Sequence, residues 1–199
     1  MFSGIVAAVG RITQLSKRED EACTVRLTVD AGTLGLDDVA LGDSIACNGV
    51  CLTVVELEGN CFRVDVSPET LSCTVGLAEP GQINMEKALR LSDRLGGHLV
   101  SGHVDGVGEV LRFDLIGDNR LLEIRAPQAL AKYIAKKGSV TVNGTSLTTN
   151  DVRGTDFTIN LIPHTLLNTT LHQLAPGAKV NLEVDLIARY CERLLNPEA

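Results

Sequence analysis

The feature that most constrains this chain is a sequence repeat of about half its length. The segment CNGVCLTV at 47–54 is matched by VNGTSLTT at 142–149, an offset of 95 positions. An offset of 98 pairs Ser3-Gly4 with Ser101-Gly102. Units of this size are too long for the repeats of a solenoid and long enough to bury a core each. The repeat therefore predicts two similar domains.

Each copy carries a strand pattern. Apolar and polar residues alternate over 25–29, 62–66 and 157–161, which is typical of half-buried strands. Asn48-Gly49 and Asn143-Gly144 are strong two-residue hairpin signals, because both residue types tolerate positive φ. Short strands with regular turns predict a small closed antiparallel barrel in each copy.

Two segments have helical patterns. The stretch 127–135 predicts a helix, with a proline near its start and Gly138 after its end. The stretch 184–195 places Ile187, Tyr190 and Leu194 at helical spacing and has no counterpart inside the first copy. This tail helix packs either on its own domain or against copies of itself in an oligomer.

Composition excludes several classes of function. The net charge of −7 argues against a nucleic-acid footprint and against binding to an anionic membrane. The first residues have no basic region before their short apolar run, and no stretch approaches 18 apolar residues. We expect a cytoplasmic protein whose six cysteines are free thiols. Four of them are expected to be structural: Cys23, Cys61, Cys73 and Cys191.

Four blocks in order carry a family resemblance: MFSGIV, GDSIACNGVCLTV, GGHLVSGHVDG and KGSVTVNGTSLT. Together they resemble the riboflavin synthase alpha-chain family over nearly the whole chain. The resemblance implies an all-β fold of two similar six-stranded antiparallel Greek-key barrels with short helices, plus a C-terminal α-helix. It divides the chain into an N-terminal lumazine-binding barrel (1–97), a C-terminal lumazine-binding barrel (98–186) and an oligomerisation helix (187–199).

The same resemblance implies a reaction. Two molecules of 6,7-dimethyl-8-ribityllumazine exchange a four-carbon unit and yield riboflavin and 5-amino-6-(D-ribitylamino)uracil, without a metal or an organic cofactor. The family forms a homotrimer, and its site lies between the N-terminal barrel of one subunit and the C-terminal barrel of its neighbour. The enzyme that makes the lumazine is a further candidate partner. Two copies would then hold two identical substrates, and their differences would assign donor and acceptor.

The candidate catalytic residues are Phe2, Cys51, His103, Lys137, Ser146, Thr148 and Asp185. Most free cysteines are small buried hydrophobic residues, and Cys51 alone would be expected to be one. The resemblance instead implies that its thiol lines the pocket and is a candidate nucleophile. His103 replaces the apolar Ile5 of the first copy, so it is a structural histidine, a general base or a group that orients the substrate. His98 is expected to have a structural or interface role.

The remaining candidates have competing readings as well. Lys137 suits the end of the predicted helix by its charge, whereas the family places it at the substrate of an adjacent subunit. Asp185 is an acid at the start of the tail helix or a member of the site. Phe2 is expected to be exposed by its terminal position, although the resemblance puts it in the site. The twins Phe62 and Phe157 are expected in the cores.

Substrate binding needs uncharged donors and acceptors for a polyol and backbone groups for the ring. The candidates are Gly4, Ile5, Val6, Ser44, Cys51, Leu52, Thr53, Asp65, Val66, Ser67, Pro68, Glu69, Thr70, Gly102, His103, Val104, Lys137, Ser146, Leu147, Thr148, Asn160, Leu161, Ile162, Pro163, His164 and Thr165. No metal site is expected, because Cys47 and Cys51 lack a second pair and His98 and His103 are badly spaced.

Two other functions compete with the enzyme. A fluorescent antenna protein would share the fold and hold one chromophore without turnover, and it would be expected to lose the site residues of one copy. Here both copies keep their Leu-Thr and Pro-x-Thr-Leu motifs. A flavin-reductase barrel would need a second domain with a glycine-rich turn between strand and helix, and the sequence has none in that context.

Overall fold

The structure is a computed structural model that describes residues 1–18 and 24–196. The first barrel contains β1 (Ala8–Lys17), β2 (Val25–Asp30), β3 (Ser44–Cys47), β4 (Val50–Glu58), β5 (Cys61–Val66) and β6 (Gly81–Lys87). The second contains β7 (Gly106–Ile116), β8 (Asn119–Arg125), β9 (Ser139–Val142), β10 (Thr145–Arg153), β11 (Asp156–Leu161) and β12 (Lys179–Val184). The helices are α1 (Pro68–Cys73), α2 (Pro163–Asn168) and α3 (Leu186–Leu195), and 3₁₀ turns cover Ala131–Tyr133 and Thr170–Gln173.

Both barrels are closed and antiparallel, with one strand order. The first runs β1-β2-β5-β4-β3-β6 and the second β7-β8-β11-β10-β9-β12, each returning to its first strand. In both, the last strand returns beside the first of three hairpin-connected strands, which is a Greek key. Closure leaves no unpaired sheet edge in either barrel. The expected fold of two six-stranded Greek-key barrels with a C-terminal helix is confirmed.

The strand alternation places one face of each strand in a separate core. Phe62 is 0% exposed and its twin Phe157 is 1% exposed, so both pack in the cores as expected. The Asn-Gly hairpins form where expected, with φ of 49° at Asn48 and 46° at Asn143. The barrels also bend alike, because β4 and β10 each have a register shift after the same inward position, Val54 and Thr149.

Two details of the helices differ from expectation. The helix predicted over 127–135 is wrong, since this segment forms turns and only Ala131–Tyr133 is a 3₁₀ helix. Its apolar side chains Leu130 and Ile134 are 8% and 6% exposed and join the second core, so tertiary packing overrides the local pattern. The tail helix begins at Leu186, because Val184 still pairs with Val140 in the barrel.

The helix α3 contacts its own barrel through polar groups. Glu192 accepts hydrogen bonds from Lys132 and Tyr133, and Arg189 pairs with Asp105. The five cysteines of the described ranges are free thiols, and Cys23 lies outside them. Within these ranges no helix is long and apolar enough to cross a membrane.

Buried asparagines join the two barrels at their hairpin turns. Asn84 donates from its side chain to the carbonyl of Asn143 at 2.8 Å, and Asn181 donates to the carbonyl of Asn48 at 3.0 Å. The Asn48 and Asn143 side chains accept in turn from the backbone N–H groups of Asn84 and Asn181 within their own barrels, at 2.9 and 2.8 Å. Such reciprocal contacts are the signature of a twofold-related pair. The two barrels are therefore oriented by paired, satisfied polar groups.

One difference between the copies leaves a polar group unpaired in the second core. Thr149 is 0% exposed and its hydroxyl has no hydrogen-bond partner among the described residues. The equivalent position in the first barrel is Val54, which is 1% exposed. Valine has the same shape without the buried hydroxyl.

We predict that Thr149→Val raises the free energy of unfolding by about 1–2 kcal/mol, the cost of burying an unsatisfied hydroxyl. Urea denaturation followed by circular dichroism measures this change. The neighbouring Thr148 is exposed, so Thr148→Val should change the stability by less than about 0.5 kcal/mol. A destabilised Thr149→Val protein would contradict the reading of this site.

Candidate functional site

Two short segments cross between the barrels. We name residues 3–6 the first strap, which precedes β1, and residues 101–104 the second strap, which precedes β7. The carbonyl of Gly4 accepts from the backbone N–H of Ser146 at 2.7 Å, on the second barrel. The carbonyl of Gly102 accepts from the N–H of Cys51 at 2.8 Å, on the first barrel. Each strap therefore borders the site of the barrel that it does not lead into.

Glycine is required at both crossings. Gly4 and Gly102 have φ of 76° and 80°, a region that other residues rarely adopt. A Cβ on Gly4 would lie 2.6 Å from the Cβ of Ser146, and one on Gly102 would lie 2.6 Å from that of Cys51. The first strap can therefore approach β10, and the second strap β4, only if the residues at positions 4 and 102 have no side chain. This close approach gives Cys51 and Ser146 their positions beside the straps.

The first barrel has an open pocket of about 210 Å³ at Cys51. Six of the expected site residues line it: Cys51, Glu69, Thr70, Gly102, His103 and Val104. His103 belongs to the second repeat, and the crossing of the second strap brings it to the pocket of the first barrel. The structure thus brings together the thiol, the exposed imidazole and the start of α1.

Three further residues line this pocket that the sequence did not suggest: Val50, Cys73 and Thr74. Cys73 was expected to be structural, yet it is exposed at the pocket, and its thiol donates to Glu69 at 3.3 Å. Positions 73 and 74 lie three and four residues after Thr70, so helical spacing could have identified both.

The helix α1 is well defined by its sequence. Ser67 caps it by accepting from the N–H of Thr70 at 3.1 Å, and Pro68 occupies the first turn. The equivalent α2 begins at Pro163 but has Ile162 in the cap position and no capping side chain. The two sites therefore differ in the polar groups at the helix start.

In the second barrel, Ser146 occupies the position equivalent to Cys51, and the side chain of His98 contacts it. His98 Nδ1 lies 2.7 Å from the hydroxyl oxygen of Ser146, and its Nε2 lies 3.2 Å from that of Thr141. The segment reaches Ser146 because Gly97 has no side chain, since a Cβ there would lie 2.8 Å from the Ser146 hydroxyl. The sequence predicted a structural or interface role for His98, and its contact with Ser146 was not predicted.

The electrostatics of His98 suit proton transfer. Its side chain is buried at 7% exposure, and burial lowers its pKa by penalising the charged imidazolium. The negative charge of Asp185 opposes this effect. A neutral imidazole beside a hydroxyl can accept a proton from it or through it. The second site is therefore a half-buried serine paired with a buried histidine, whereas the first site has a half-buried thiol in an open pocket.

Phe2 differs from its expected exposure. It is 0% exposed, bridges Val100 and packs with Ala46 in a small cluster that Cys51 also contacts. The expectation of an exposed terminal side chain is wrong, because the pairing with Val100 buries the ring. Phe2 thus supports the wall behind Cys51.

Three other candidates surround the second barrel. Lys137 is exposed, with φ of 66°, and its backbone N–H donates to the backbone carbonyl of Thr149 at 2.8 Å. Thr148 is exposed on β10 opposite Ser139. Asp185 caps α3 by accepting from Ile187 at 3.0 Å, and its charge acts on His98. An exposed Lys137 ammonium is available to a ligand or to a neighbouring subunit.

The other expected substrate-binding residues separate into three groups. Four have side chains in the barrel cores and offer only backbone groups to a ligand: Leu52, Val66, Leu147 and Leu161. Asp65 is paired with Arg26 and Arg18, both at 2.7 Å, and Arg26 holds its pKa below the usual value. The rest are exposed or half-buried: Ile5, Val6, Ser44, Thr53, Ser67, Pro68, Asn160, Ile162, Pro163, His164 and Thr165.

Comparison with known proteins matches both barrels to one family. The lumazine binding domain matches residues 3–88 and again residues 101–185. The riboflavin synthase of Photobacterium phosphoreum is 47% identical, over 98% of this chain and 89% of its own length. That of Bacillus subtilis is 40% identical over 98% and 90%, and that of Mycobacterium tuberculosis is 43% identical over 98% of both chains.

Solved structures of a second kind of protein are also similar. The crystal structure of LumP complexed with riboflavin has a TM-score of 0.82 and 26% identity, over 92% of this chain and 99% of LumP. LumP complexed with 6,7-dimethyl-8-(1'-D-ribityl) lumazine has a TM-score of 0.80 at the same identity. The similarity covers the tandem barrels in both comparisons.

We predict that the imidazole of His98 titrates with a pKa below about 6.5, the value of an unperturbed histidine. Asp185→Asn, which keeps a capping side chain, should lower this pKa further because it removes the charge that favours the imidazolium. NMR pH titration of the ring resonances measures both values. A pKa at or above 6.5, or a rise in the Asn variant, would contradict this account.

Proposed function

The chain belongs to the lumazine-binding-domain family, with one copy of the domain in each barrel, and on that premise we propose that it catalyses the riboflavin synthase reaction. The observation that carries this proposal is the identity of 40–47% with riboflavin synthases of three organisms over 98% of the chain. The substrate class is a ribityllumazine. Cytoplasmic location is part of the proposal and is supported by the free thiols of the five cysteines within residues 1–18 and 24–196.

The proposed reaction explains why the chain has two barrels. Two molecules of 6,7-dimethyl-8-ribityllumazine react with each other, one donating a four-carbon unit and the other accepting it. The products are riboflavin and 5-amino-6-(D-ribitylamino)uracil, so the atoms of the two substrates are fully accounted for. Holding two like molecules in a fixed arrangement replaces an encounter in solution and supplies much of the acceleration.

The difference between the sites supports a division of roles. The donor must lose a proton from its C7 methyl group, and the pair of half-buried Ser146 and buried His98 has an imidazole nitrogen 2.7 Å from a hydroxyl oxygen. We assign proton removal to this pair. The acceptor must be made electrophilic, and the open pocket has the Cys51 thiol beside His103 for this purpose.

The second candidate is an antenna protein, which binds one chromophore without turnover. The similarity to LumP with bound riboflavin favours it, because the fold and the ligand class agree. However, the identity to LumP is 26%, compared with 47% to the riboflavin synthase of Photobacterium phosphoreum. The thiol of Cys51 and the hydroxyl of Ser146 also favour the enzyme, because an antenna protein would be expected to lose the site residues of one copy.

We propose further that the chain works as a homotrimer, with each site shared between the first barrel of one subunit and the second barrel of its neighbour. Support comes from α3, whose polar contacts face its own barrel while a row of apolar side chains is exposed. Ile187, Tyr190 and Leu194 are 62%, 65% and 80% exposed in the single chain. Their spacing puts them on one face. The enzyme that supplies the lumazine stays a predicted partner.

We predict that the purified protein, given the ribityllumazine alone, forms riboflavin and the pyrimidine in equal amounts, as absorbance and chromatography can measure. His98→Gln should lower kcat by about 10²–10³-fold through loss of the base while the substrate still binds. Tight binding by the unmodified protein without any product would favour the antenna function instead. Products in unequal amounts would refute the proposed dismutation.

We predict that Leu194→Glu dissociates the trimer and lowers turnover, because a charge enters the proposed contact between α3 helices. Sedimentation velocity measures the assembly. The control is Leu115→Glu, at a position 65% exposed on β7 and away from α3, which should leave the trimer intact. A monomeric Leu194→Glu protein with full turnover would rule out the shared site.

A further inference from the structure

Two buried glutamates are absent from the reaction scheme above. Glu86 on β6 is 7% exposed and Glu183 on β12 is 4% exposed. They are twins in the two repeats, at an offset of 97 positions. Burying a carboxylate is costly unless hydrogen bonds compensate for the lost water. Burial raises the pKa of both groups, and hydrogen bonds from the straps oppose this rise.

Each carboxylate holds one strap by three hydrogen bonds. Glu86 accepts from the N–H of Ser3 at 2.7 Å, from its hydroxyl at 2.6 Å and from the N–H of Gly4 at 2.9 Å. Glu183 accepts from the N–H of Ser101 at 2.6 Å, from its hydroxyl at 2.7 Å and from the N–H of Gly102 at 3.0 Å. Both oxygens of each carboxylate are used. This arrangement fixes the position and the orientation of each strap.

The serine hydroxyl of each strap also accepts a hydrogen bond from the backbone N–H two residues further along. Ser101 donates its hydroxyl hydrogen to Glu183 and accepts from the N–H of His103 at 3.2 Å. In the twin, Ser3 accepts from the N–H of Ile5 at the same distance. The glutamate therefore orients the backbone on both sides of the strap glycine. In the second strap this includes the residue that carries the pocket imidazole.

The far side of each strap touches the other barrel. Gly102 is held through its N–H by Glu183 of the second barrel, and its carbonyl accepts from Cys51 of the first. Gly4 is held through its N–H by Glu86 of the first barrel, and its carbonyl accepts from Ser146 of the second. The path from each carboxylate thus crosses one glycine and ends at the reactive position of the opposite site.

We propose that Glu86 and Glu183 are positioning residues, each acting on the site of the barrel to which it does not belong. Glu183 sets the distance between the second strap and Cys51, and so the geometry of the open pocket. Glu86 sets the first strap against Ser146, and so the alignment of the Ser146–His98 pair. Each site therefore depends on a carboxylate in the other barrel. The importance of this coupling for turnover rests on the proposed function, whereas the geometry does not.

The matched variants are Glu183→Gln and Glu86→Gln, which keep the side-chain shape. Glutamine has one acceptor oxygen, and its NH₂ group would face one of the strap's hydrogen-bond donors. The variant therefore loses the strap hydrogen bonds that the second carboxylate oxygen accepts. The first readout is the rate of alkylation of Cys51 by iodoacetamide, measured by peptide mass spectrometry. The second is the chemical shift of the His98 ring nitrogens in NMR. Neither readout requires turnover, so failure here is distinguishable from failure of the proposed function.

A crossed result is expected. Glu183→Gln should change the alkylation rate of Cys51 by about tenfold, as for the loss of a charge-assisted hydrogen bond, and leave the His98 shifts unchanged. Glu86→Gln should shift the His98 resonances and leave the Cys51 rate within about twofold, because the hydrogen bonds from Glu86 lead through Gly4 to Ser146, whereas Gly102, which contacts Cys51, is held by Glu183. Changes in both readouts by both variants, in neither, or only within the same barrel would overturn the proposal.

An internal control separates positioning from unfolding. Cys47 is 0% exposed, and burial raises the pKa of its thiol to about 12, so it stays unmodified while the barrel is folded. If Cys47 of a glutamine variant is alkylated, that variant is partly unfolded, and the milder variants Ser101→Ala and Ser3→Ala are tested in its place. Ser101→Ala should then change the alkylation rate of Cys51, and Ser3→Ala should change the His98 shifts. These variants remove one hydroxyl each and keep both backbone N–H donors of the strap. The same failures in the alanine pair would overturn the proposal.

Discussion

The arrangement of the whole molecule depends on two reciprocal backbone hydrogen bonds, from Cys51 to Gly102 and from Ser146 to Gly4. Each barrel is closed and has its own core, so neither needs the other to satisfy its strands. The contacts that join the barrels include the two straps, the bridge between Phe2 and Val100, and the asparagine cross-links between the hairpin turns. These contacts fix the relative orientation of two otherwise independent units, and two of them involve the candidate site residues Cys51 and Ser146. Fold and site are therefore held by the same hydrogen bonds.

The duplication gives two equivalent frames, and a few substitutions make them unequal. A thiol stands at Cys51 and a hydroxyl at Ser146, and only the hydroxyl has a buried histidine against it. The start of α1 has a capping serine, whereas that of α2 has Ile162. A reaction between two identical molecules needs this inequality, because one must lose a proton and the other must accept a carbon unit. In the proposed reaction, the two similar barrels would each hold one substrate, and the unequal side chains would assign the donor and acceptor roles.

Sequence reasoning succeeded where the signal was local and repeated. The alternation in β2, β5 and β11, the Asn-Gly turns and the twin phenylalanines led to two closed barrels. It failed over 127–135, where apolar positions that suit a helix are used to fill the second core. Cys51, Thr70 and His103 were predicted site residues and lie at one pocket, whereas Cys73, which lines the same pocket, was expected to be structural. His98 was expected to have a structural or interface role. His98 has no equivalent in the first copy, because an offset of 98 positions would pair it with a residue before Met1, so the repeat does not predict its contact with Ser146.

The sequence by itself determined that this chain forms two similar barrels with a tail helix, because strand periodicity, turn glycines and the repeat depend on short-range chemistry. It also determined the kinds of group available at the site. Only the tertiary structure decided which barrel each strap serves, since that depends on long-range hydrogen bonds between Gly102 and Cys51 and between Gly4 and Ser146. Side chains that are distant in the sequence become partners only when both barrels have closed and their turns have met.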